Sequence, residues 1–375
     1  MVLVPLATTL RLADILSSSL SAIHGQSNPL DLGPVKRAAV LVVDGLGAHN
    51  LRGVSGHARW LSARWASRGL SADAGFPSTT ASALTTLTTG VEPGQHGIAG
   101  YTLRDPDSGV LINHLKSWRP HVDPDTWQRV PTLFERAHHD GIASLALGEP
   151  RFQGSDFTLA TWRGAQFQGV NSLPAQGVAL REFFDSHDSA LAYLYWPALD
   201  RTGHSSGCGS LSWTHRLEEL DQWGREIESL LHEDEGLIIT ADHGMVDIAP
   251  EGKIFIDEGS PLLENVVAWG GEPRAVQLYA TTPDAREDLA SAWRETLGDA
   301  AWVMTRDEVI EGGLLGLVDP QVAQRLGDVV VACQGHSVVY RRAQASATSM
   351  AMVGQHGSVS EIEREIPVIP LGAWA

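Results

Sequence analysis

Short, mostly apolar runs alternate with longer segments of helical periodicity along this chain. Residues 38–43, 142–147 and 190–195 are apolar runs of strand length. Runs without polar alternation are typical of strands that are buried on both faces of a parallel sheet. Helical patterns at 130–141 and 178–187 lead into two of these runs. This alternation predicts an α/β fold with a mostly parallel central sheet and helices on both faces.

The remaining elements predict one large domain with an insertion. Further helical patterns occur at 10–23, within a lead-in of residues 1–34, and at 211–232. From about residue 252 the composition shifts toward glycine- and proline-rich turns, with another helical pattern and a short apolar run. We therefore expect residues 1–375 to form a single domain, in which residues 252–340 are a smaller, inserted, cap-like subdomain.

Acidic and imidazole side chains follow two of the predicted strands. Asp44 follows the first apolar run, and Asp242 and His243 end another one. An Asp-His pair in such a position is as consistent with an ordinary hydrogen-bonded turn as with a metal site. Residues 44–47 also have glycines of a nucleotide-binding loop, but they lack the third glycine of that motif, and Asp44 would repel a pyrophosphate. We therefore favour a metal ligand at Asp44.

Two further segments complete a set of candidate ligands. Asp200 and His204 lie four residues apart after the run 190–195, and this spacing presents both side chains to one ion from a helical turn or compact loop. His356 lies in a Gly-Gln-His-Gly segment near the C-terminus. Carboxylates and imidazoles at strand ends suit two zinc-like ions, because open parallel sheets bind ligands at the carboxyl ends of their strands. The set consists of Asp44, Asp200, His204, Asp242, His243 and His356.

A threonine-rich segment could supply a nucleophile. A Pro-Ser dipeptide favours a turn, residues 81–87 favour a helix, and Gly90 favours its end. Thr79 or Thr80 would then lie at the helix N-terminus, where backbone N–H groups favour negative charge on a threonine alkoxide or on a bound phosphoryl group. The alternative is that both threonines only cap the helix.

Other polar residues are better explained by packing. His96, in a Gly-Gln-His-Gly turn, is more consistent with a loop hydrogen bond than with support of a metal ligand. Asn113, Trp118 and Arg119 could line a substrate pocket, but their position in a Trp- and Pro-rich loop favours packing.

Composition limits the classes of protein to which this chain can belong. Its 375 residues, of which 43% are hydrophobic, are sufficient for a sizeable core. The net charge of −18 argues against binding of polymeric nucleic acid, but it allows small phosphorylated substrates if divalent cations supply local positive charge. Two cysteines provide neither a disulfide framework nor a thiolate metal cluster. We expect a cytoplasmic protein that does not enter a membrane, because neither a secretory signal nor a long apolar span is recognisable.

The ordered combination of these motifs resembles the alkaline phosphatase superfamily, and within it the nucleotide pyrophosphatase/phosphodiesterase branch. The matching segments are Val-Asp-Gly-Leu at 43–46, Pro-Ser-Thr-Thr at 77–80, Thr-Gly at 89–90, His-Gly at 96–97, Asp-Arg-Thr-Gly-His at 200–204, Asp-His-Gly at 242–244 and Gly-Gln-His-Gly at 354–357. The resemblance implies two zinc ions, one bound by Asp200, His204 and His356, the other by Asp44, Asp242, His243 and the hydroxyl of Thr80. Thr80 is favoured over Thr79 because the family's nucleophile lies ten residues before the glycine that ends its helix.

The resemblance also implies a reaction and a substrate class. We expect hydrolysis of phosphodiester or pyrophosphate bonds in a small phosphorylated substrate, through a phosphothreonine formed on Thr80. The alternatives are a phosphomonoesterase or phosphonate hydrolase with the same metal site, and a binding protein of the same fold without catalytic activity. Phosphodiesterases of this branch carry an asparagine where this chain has Ala83, which leaves the preference between diesters and monoesters open.

Overall fold

The computed structural model describes residues 6–375, so the first residues of the predicted lead-in, 1–5, lie outside the described part of the chain. The α-helices of the described part, α1 to α16 in chain order, are Ala13–Ile23, Ala48–Gly53, Arg59–Arg68, Thr80–Thr89, Pro93–His96, Pro124–Trp127, Leu133–His139, Asp156–Thr161, Leu173–Asp185, Ala198–Ser206, Leu211–Glu228, Arg286–Leu297, Arg306–Glu311, Pro320–Ala323, Ala347–Ala351 and Glu361–Arg364. Among these helices, none combines the length and the apolar character needed to cross a membrane.

The strands of the described residues are likewise numbered in chain order. Strands β1 to β17 are Arg37–Val43, Leu70–Asp73, Thr102–Arg104, Leu111–Asn113, Ala143–Gly148, Gln166–Gly169, Ala190–Trp196, Glu235–Thr240, Val246–Asp247, Lys253–Ile256, Val266–Glu272, Ala275–Ala280, Ala301–Thr305, Val329–Cys333, Val338–Arg341, Gly354–Gln355 and Glu365–Gly372.

A seven-stranded sheet forms the centre of the fold, in the order β2, β17, β8, β1, β7, β5, β6. Strands β8, β1, β7, β5 and β6 are parallel to their neighbours in this series, whereas β17 is antiparallel to both β2 and β8. The predicted α/β fold with a mostly parallel sheet is therefore confirmed. Val43 lies opposite Trp196 and Val42 opposite Thr240. Strands β1, β7 and β8 consequently end together, and the loops that follow them meet at one edge of the sheet.

Strand β1 shows why uniform apolar runs occupy the middle of this sheet. Its residues from Ala38 to Val43 are fully buried, although neighbouring side chains along a strand point to opposite faces. Both faces are therefore covered, with α1 packed against β1 and α9 against β7. Full burial of a Val or Leu side chain stabilises the fold by about 1.5–3 kcal/mol, so such a run is most stable where helices cover both faces.

A second sheet is antiparallel and consists of β11, β12, β14 and β13 in that order. Helix α12 packs on this sheet, and the two share a separate cluster of buried apolar side chains that includes Trp293 and Val331. These elements lie within residues 252–340, where the sequence predicts an insertion. Just before β12, the buried Arg274 donates to the Glu363 carboxylate at 2.7 and 2.8 Å. This ion pair fixes the second sheet to the chain that leads into β17.

Helix boundaries differ from the predicted ones where capping side chains decide them. Helix α9 begins earlier than predicted because Ser172 accepts a hydrogen bond from the N–H of Ala175. Helix α7 begins later than predicted because Thr132 and Glu135 form a capping box. The short edge strands β2 and β6 were not predicted, since neither has an apolar run of strand length.

Candidate active site

The structure brings all the predicted ligands together at the carboxyl edge of the central sheet: Asp44, Thr80, Asp200, His204, Asp242, His243 and His356. Three of these residues follow within a few residues of the ends of β1 and β8, and helix α10, which follows β7, carries two. The chain before β17 supplies another, because the antiparallel direction of β17 places its start at the same edge. Helix α4 begins with the threonine. Neighbouring strand ends therefore account for the assembly of the site.

Two glycines allow the loops of the site to approach one another closely. Gly45 has a φ of 76°, and a Cβ atom there would lie 3.2 Å from the Cα of Asp200. At Gly244, a Cβ atom would lie 2.0 Å from the carbonyl oxygen of Ile362. Any larger residue at Gly244 would displace the backbone that follows the Asp242-His243 pair.

The carboxylates of Asp44 and Asp242 each have one oxygen held by the protein. The Tyr195 hydroxyl donates to Oδ2 of Asp44. Two backbone N–H groups, those of Gly45 and His243, donate to Oδ1 of Asp242 at 3.1 Å. These hydrogen bonds fix the orientation of both carboxylates and leave the other oxygen of each directed elsewhere.

The third carboxylate, Asp200, lies beside one of the site histidines. Its Oδ2 lies 3.4 Å from Nε2 of His204, one helical turn further along α10. In the structure, Asp200 and His204 thus lie on one helical turn, as predicted. Three buried oxygens of the site accept no hydrogen bond from any described residue, namely Oδ1 of Asp44, Oδ1 of Asp200 and Oδ2 of Asp242. Buried carboxylate oxygens without donors are suited to binding a cation.

The three site histidines have the same tautomer. In each ring, Nδ1 lies close to a backbone carbonyl oxygen, which can only accept a hydrogen bond. The pairs are His204 with Gly354 at 2.7 Å, His356 with Ser78 at 2.9 Å and His243 with Gly244 at 3.1 Å. Nδ1 therefore carries the hydrogen, and Nε2 of the neutral ring presents its lone pair to the site, as in metal-binding histidines.

The free atoms form two clusters that could each hold a metal ion. One cluster consists of Asp44, Asp242 and His243, and the other consists of Asp200, His243 and His356. Within each cluster the candidate ligand atoms lie within 4.8 Å of one another. His243 belongs to both, and its ring stacks on that of His356 with 3.6 Å between the centroids. His204 lies beside the second cluster, 3.4 Å from Asp200. Carboxylate oxygens and imidazole nitrogens in this number suit zinc.

Burial shifts the pKa values of four site groups, Asp44, Asp242, His243 and His356, toward their neutral forms. Burial, followed by the charges of Asp200 and Asp242, raises the pKa of Asp44 well above its usual range. Burial raises the pKa of Asp242 to about 7 and lowers the pKa values of His243 and His356 to about 3. The rings are therefore neutral at pH 7, and the carboxyl groups need a positive charge to ionise fully.

Thr80, rather than Thr79, directs its hydroxyl toward the site. Thr80 is the first residue of α4, and its Oγ1 lies 3.2 Å from Nε2 of His243. Because that nitrogen carries no hydrogen, the hydroxyl donates to it. Thr79 occupies the N-cap position, but its side chain forms no capping hydrogen bond. The alternative that both threonines only cap the helix therefore does not describe this helix start.

The polar loop residues for which we expected a packing role contact other protein groups in the structure. Nε2 of His96 lies 2.9 Å from the Thr86 hydroxyl, and its Nδ1 accepts from the N–H of Ile98 at 3.1 Å. The predicted loop hydrogen bond is thus confirmed. Trp118 is fully buried, and Arg119 forms an ion pair with a buried aspartate at 2.6 Å.

Ala83 does not face an open part of the site. Its side chain is 1% exposed and belongs to the main hydrophobic core. Asn113, which could have replaced the family's asparagine, accepts a hydrogen bond from the N–H of Leu115 within its own loop at 3.1 Å. The alanine at position 83, where the family has an asparagine, therefore affects the packing of the core first.

Two residues that hold the ligands were not identified from the sequence. Tyr195 donates to Asp44, and the carbonyl of Ser78 accepts from His356. A signal for Tyr195 is present, because a buried tyrosine hydroxyl in a strand normally requires a hydrogen-bond partner. A backbone carbonyl such as that of Ser78 has no corresponding signal in the sequence.

The parallel sheet and the cluster of carboxylates and imidazoles at its edge define an α/β protein of the alkaline phosphatase type. Residues 38–359 match the family model described as type I phosphodiesterase/nucleotide pyrophosphatase. The chain belongs to this family, whose name denotes phosphoric ester hydrolases. The resemblance inferred from the motifs is therefore confirmed.

Curated relatives match about half of this chain. An uncharacterised pyrophosphatase/phosphodiesterase of Schizosaccharomyces pombe is 26% identical over 194 residues, which cover 48% of this chain and 39% of that protein. Ectonucleotide pyrophosphatase/phosphodiesterase 1 of Saccharomyces cerevisiae is 25% identical over 224 residues, which cover 49% of this chain and 29% of that protein. The matched region thus spans less than half the length of either relative.

Solved structures share the fold over most of the chain. Murine ectonucleotide pyrophosphatase/phosphodiesterase 5 has a TM-score of 0.69 at 17% identity, covering 88% of this chain and 87% of that one. Phosphonoacetate hydrolase from Sinorhizobium meliloti has a TM-score of 0.67 at 17% identity, covering 90% of each chain. At these identities the similarity establishes a common fold.

Proposed function

We propose that this protein hydrolyses phosphodiester or pyrophosphate bonds with a two-zinc site and a threonine nucleophile. The observation that carries the proposal is the set of three buried carboxylate oxygens without donors, which lie beside neutral imidazole nitrogens and the Thr80 hydroxyl. Membership of the type I phosphodiesterase/nucleotide pyrophosphatase family supports the same reaction class.

The site residues fit two ions. We assign one zinc ion to Asp200, His204 and His356, and the other to Asp44, Asp242, His243 and the Thr80 hydroxyl. Bound divalent ions supply positive charge that clamps phosphoryl oxygens and increases the acidity of a coordinated hydroxyl. Such assistance is needed here, because a threonine hydroxyl alone is a weak nucleophile near neutral pH.

The residues of the chain then account for the steps of the reaction. The Thr80 hydroxyl gives up its proton to solvent and its oxygen attacks phosphorus, while the bond between phosphorus and the leaving oxygen breaks. The leaving group departs as an alcohol or a phosphate and takes up a proton. Water next attacks the phosphothreonine at phosphorus and releases Thr80 with its hydroxyl restored. The first N–H groups of α4 favour negative charge on the phosphoryl oxygens during both steps.

The charge around the site favours a diester or a pyrophosphate over a monoester. A phosphate monoester carries an additional negative charge, which requires further cationic groups. Arg201, the residue next to Asp200, is engaged by the Glu149 carboxylate at 2.6 and 3.0 Å. We therefore propose a small phosphorylated substrate in which the phosphoryl group that is attacked carries a single negative charge. Cytoplasmic location and lack of binding to polymeric nucleic acid stay predictions from the sequence.

The rates of hydrolysis of bis(4-nitrophenyl) phosphate and 4-nitrophenyl phosphate by zinc-loaded protein test this function. We expect kcat/KM to be at least about tenfold higher for the diester, a difference typical of charge discrimination in a site. Faster hydrolysis of the monoester or of phosphonoacetate would instead indicate a monoesterase or a phosphonate hydrolase. Zinc-loaded protein that hydrolyses none of these compounds would indicate a binding protein.

A further inference from the structure

Glu272, the last residue of β11, is a buried acid beside the proposed nucleophile and outside the ligand set. It belongs to the second sheet, and its Oε2 accepts a hydrogen bond from the N–H of Tyr101, the residue before β3, at 2.9 Å. The Thr79 side chain also interacts with this carboxyl group. No described residue forms a well-oriented hydrogen bond to its Oε1, although that atom is buried.

This carboxyl group is costly to bury. Burial raises the pKa of Glu272 to about 8, and no described cationic side chain lies within ion-pair distance of it. Outside the proposed ligand set, the fully buried acids Glu363 and Glu235 are paired with Arg274 and Arg181. An apolar side chain at this position would avoid the cost of desolvation, so stability alone does not explain an acid here.

The neighbours of Glu272 are the backbone segments that carry two site residues. Thr79 immediately precedes Thr80, and its side chain interacts with Glu272 instead of capping α4. Gly357 immediately follows His356, and a Cβ atom at Gly357 would lie 2.7 Å from Cγ of Glu272. The carboxyl group thus fills the space between the start of the nucleophile helix and the His356 segment.

We propose that Glu272 is a positioning residue for the hydrolytic reaction. It holds Thr79 and the Gly357 segment in place, so that the Thr80 hydroxyl stays 3.2 Å from Nε2 of His243. Glu272 acts through these neighbours and touches neither the substrate nor the reacting atoms. The inference rests on the proposed function. It means that the second sheet, through Glu272, helps to align the nucleophile.

Gln277 on the adjacent strand β12 provides a matched control. It is also buried, and it also connects the second sheet to the segment between α5 and β3, because its Nε2 donates to the carbonyl of Ala99 at 2.8 Å. Its Oε1 accepts from the N–H of Gly327 at 2.8 Å. Its hydrogen bonds therefore involve neither Thr79 nor Gly357. Loss of Gln277 therefore weakens the same attachment of the second sheet without removing any contact to Thr79 or Gly357.

The kinetic test compares Glu272→Ala, Glu272→Gln and Gln277→Ala with the wild type, all loaded with zinc, on bis(4-nitrophenyl) phosphate. We expect Glu272→Ala to lower kcat about 100-fold with KM and bound zinc unchanged, because a small displacement of a reacting group has effects of this size. Glu272→Gln should have a kcat at least about tenfold higher than that of Glu272→Ala, since its amide oxygen still accepts a hydrogen bond from the N–H of Tyr101. Gln277→Ala should stay within about twofold of the wild type in kcat.

Crystal structures of the same variants give a readout that does not depend on activity. The contact between Thr80 and His243 should be lost in Glu272→Ala and kept in Gln277→Ala. The proposal is overturned if Glu272→Ala keeps both this contact and its kcat, or if Gln277→Ala loses as much kcat as Glu272→Ala. Wild-type protein that binds zinc but hydrolyses no ester would contradict the proposed function, while the crystal structures would still decide the positioning role of Glu272.

Discussion

The site is prepared at the level of single residues, because five of the proposed ligands, namely Asp44, Asp242 and the three histidines, divide their polar atoms between the protein and the site. One atom of each is held, as Asp44 is by Tyr195 and His356 is by Ser78. The other atom of each faces the cluster. Orientation of these side chains therefore precedes metal binding, so that little side-chain entropy is lost when ions bind.

Replacement of Thr80 tests the assignment of the nucleophile. Thr80→Ala should lower kcat about 1,000-fold or more, because it removes the atom that we propose attacks phosphorus. Thr80→Ser, which keeps a hydroxyl, is the matched control and should stay within about tenfold of the wild type. Mass spectrometry of acid-quenched wild-type protein should locate the phosphoryl group on Thr80. Phosphate on Thr79, or normal turnover by Thr80→Ala, would show that the nucleophile has been assigned wrongly.

The affinity for zinc should increase with pH between about 6 and 8. Burial raises the pKa of Asp242 to about 7 in the metal-free protein, so below that pH the incoming ion must displace a proton. His243 and His356, whose pKa values are lowered to about 3, are already neutral in this range and release none. Apparent affinity should therefore rise with pH across this range, and Asp44, whose pKa burial also raises, adds to the rise because it too must lose its proton.

Calorimetric titrations with zinc in buffers of different ionisation enthalpy measure both the affinity and the protons released. Asp242→Asn is the control, and it should bind zinc more weakly and with a smaller dependence on pH. An affinity that falls or stays constant from about pH 6 to 8 would contradict the assignment of Asp242 as a ligand.

Among the elements, the middle strands of the sheet could be predicted and its edges could not. Strands β1, β7 and β8 are buried on both faces and therefore read as uniform apolar runs. Strand β17 contains Pro367 and Pro370, which lack an N–H and argue against a strand. It forms nevertheless, because Pro367 lies in the half that pairs with β2 and Pro370 in the half that pairs with β8. Each proline thus has one side without a partner strand.

The same reasoning explains which site residues could be predicted. Asp44, Asp242 and His243 follow strands directly, so their position at the edge of the sheet follows from local sequence. Glu272 comes from the second sheet, and its approach to Thr79 depends on how that sheet packs on the central one. No local pattern records such packing.

The ion pair between Arg274 and Glu363 should be essential to the attachment of the second sheet. Arg274→Met should lower the free energy of unfolding by about 3–5 kcal/mol, because it leaves the Glu363 carboxylate buried without its cation. Combination with Glu363→Leu should recover most of this loss, since an apolar pair leaves no buried charge. Urea unfolding followed by circular dichroism provides the measurement.

A surface ion pair serves as the control for this prediction. Arg216→Met removes the partially exposed pair with Glu219 on α11 and should change the free energy of unfolding by less than about 0.5 kcal/mol. A similar effect of Arg274→Met and Arg216→Met would show that the buried pair does not hold the second sheet in place.

At the scale of the whole molecule, the net charge of −18 and an anionic substrate are compatible only if the site is locally neutralised. Three carboxylates and a Thr80 alkoxide carry four negative charges, which two divalent cations balance. The remaining negative charge is spread over the surface, where salt screens it over about 8 Å at physiological ionic strength. The proposed reaction therefore depends on neutralisation of the site by metal.

The metal content of the purified protein tests this claim most directly. Inductively coupled plasma mass spectrometry, after incubation with zinc and removal of the excess, should find about two zinc ions per chain, as expected for a two-metal site. Protein that retains no divalent metal after this treatment, or no more than one ion per chain, would contradict the two-zinc site.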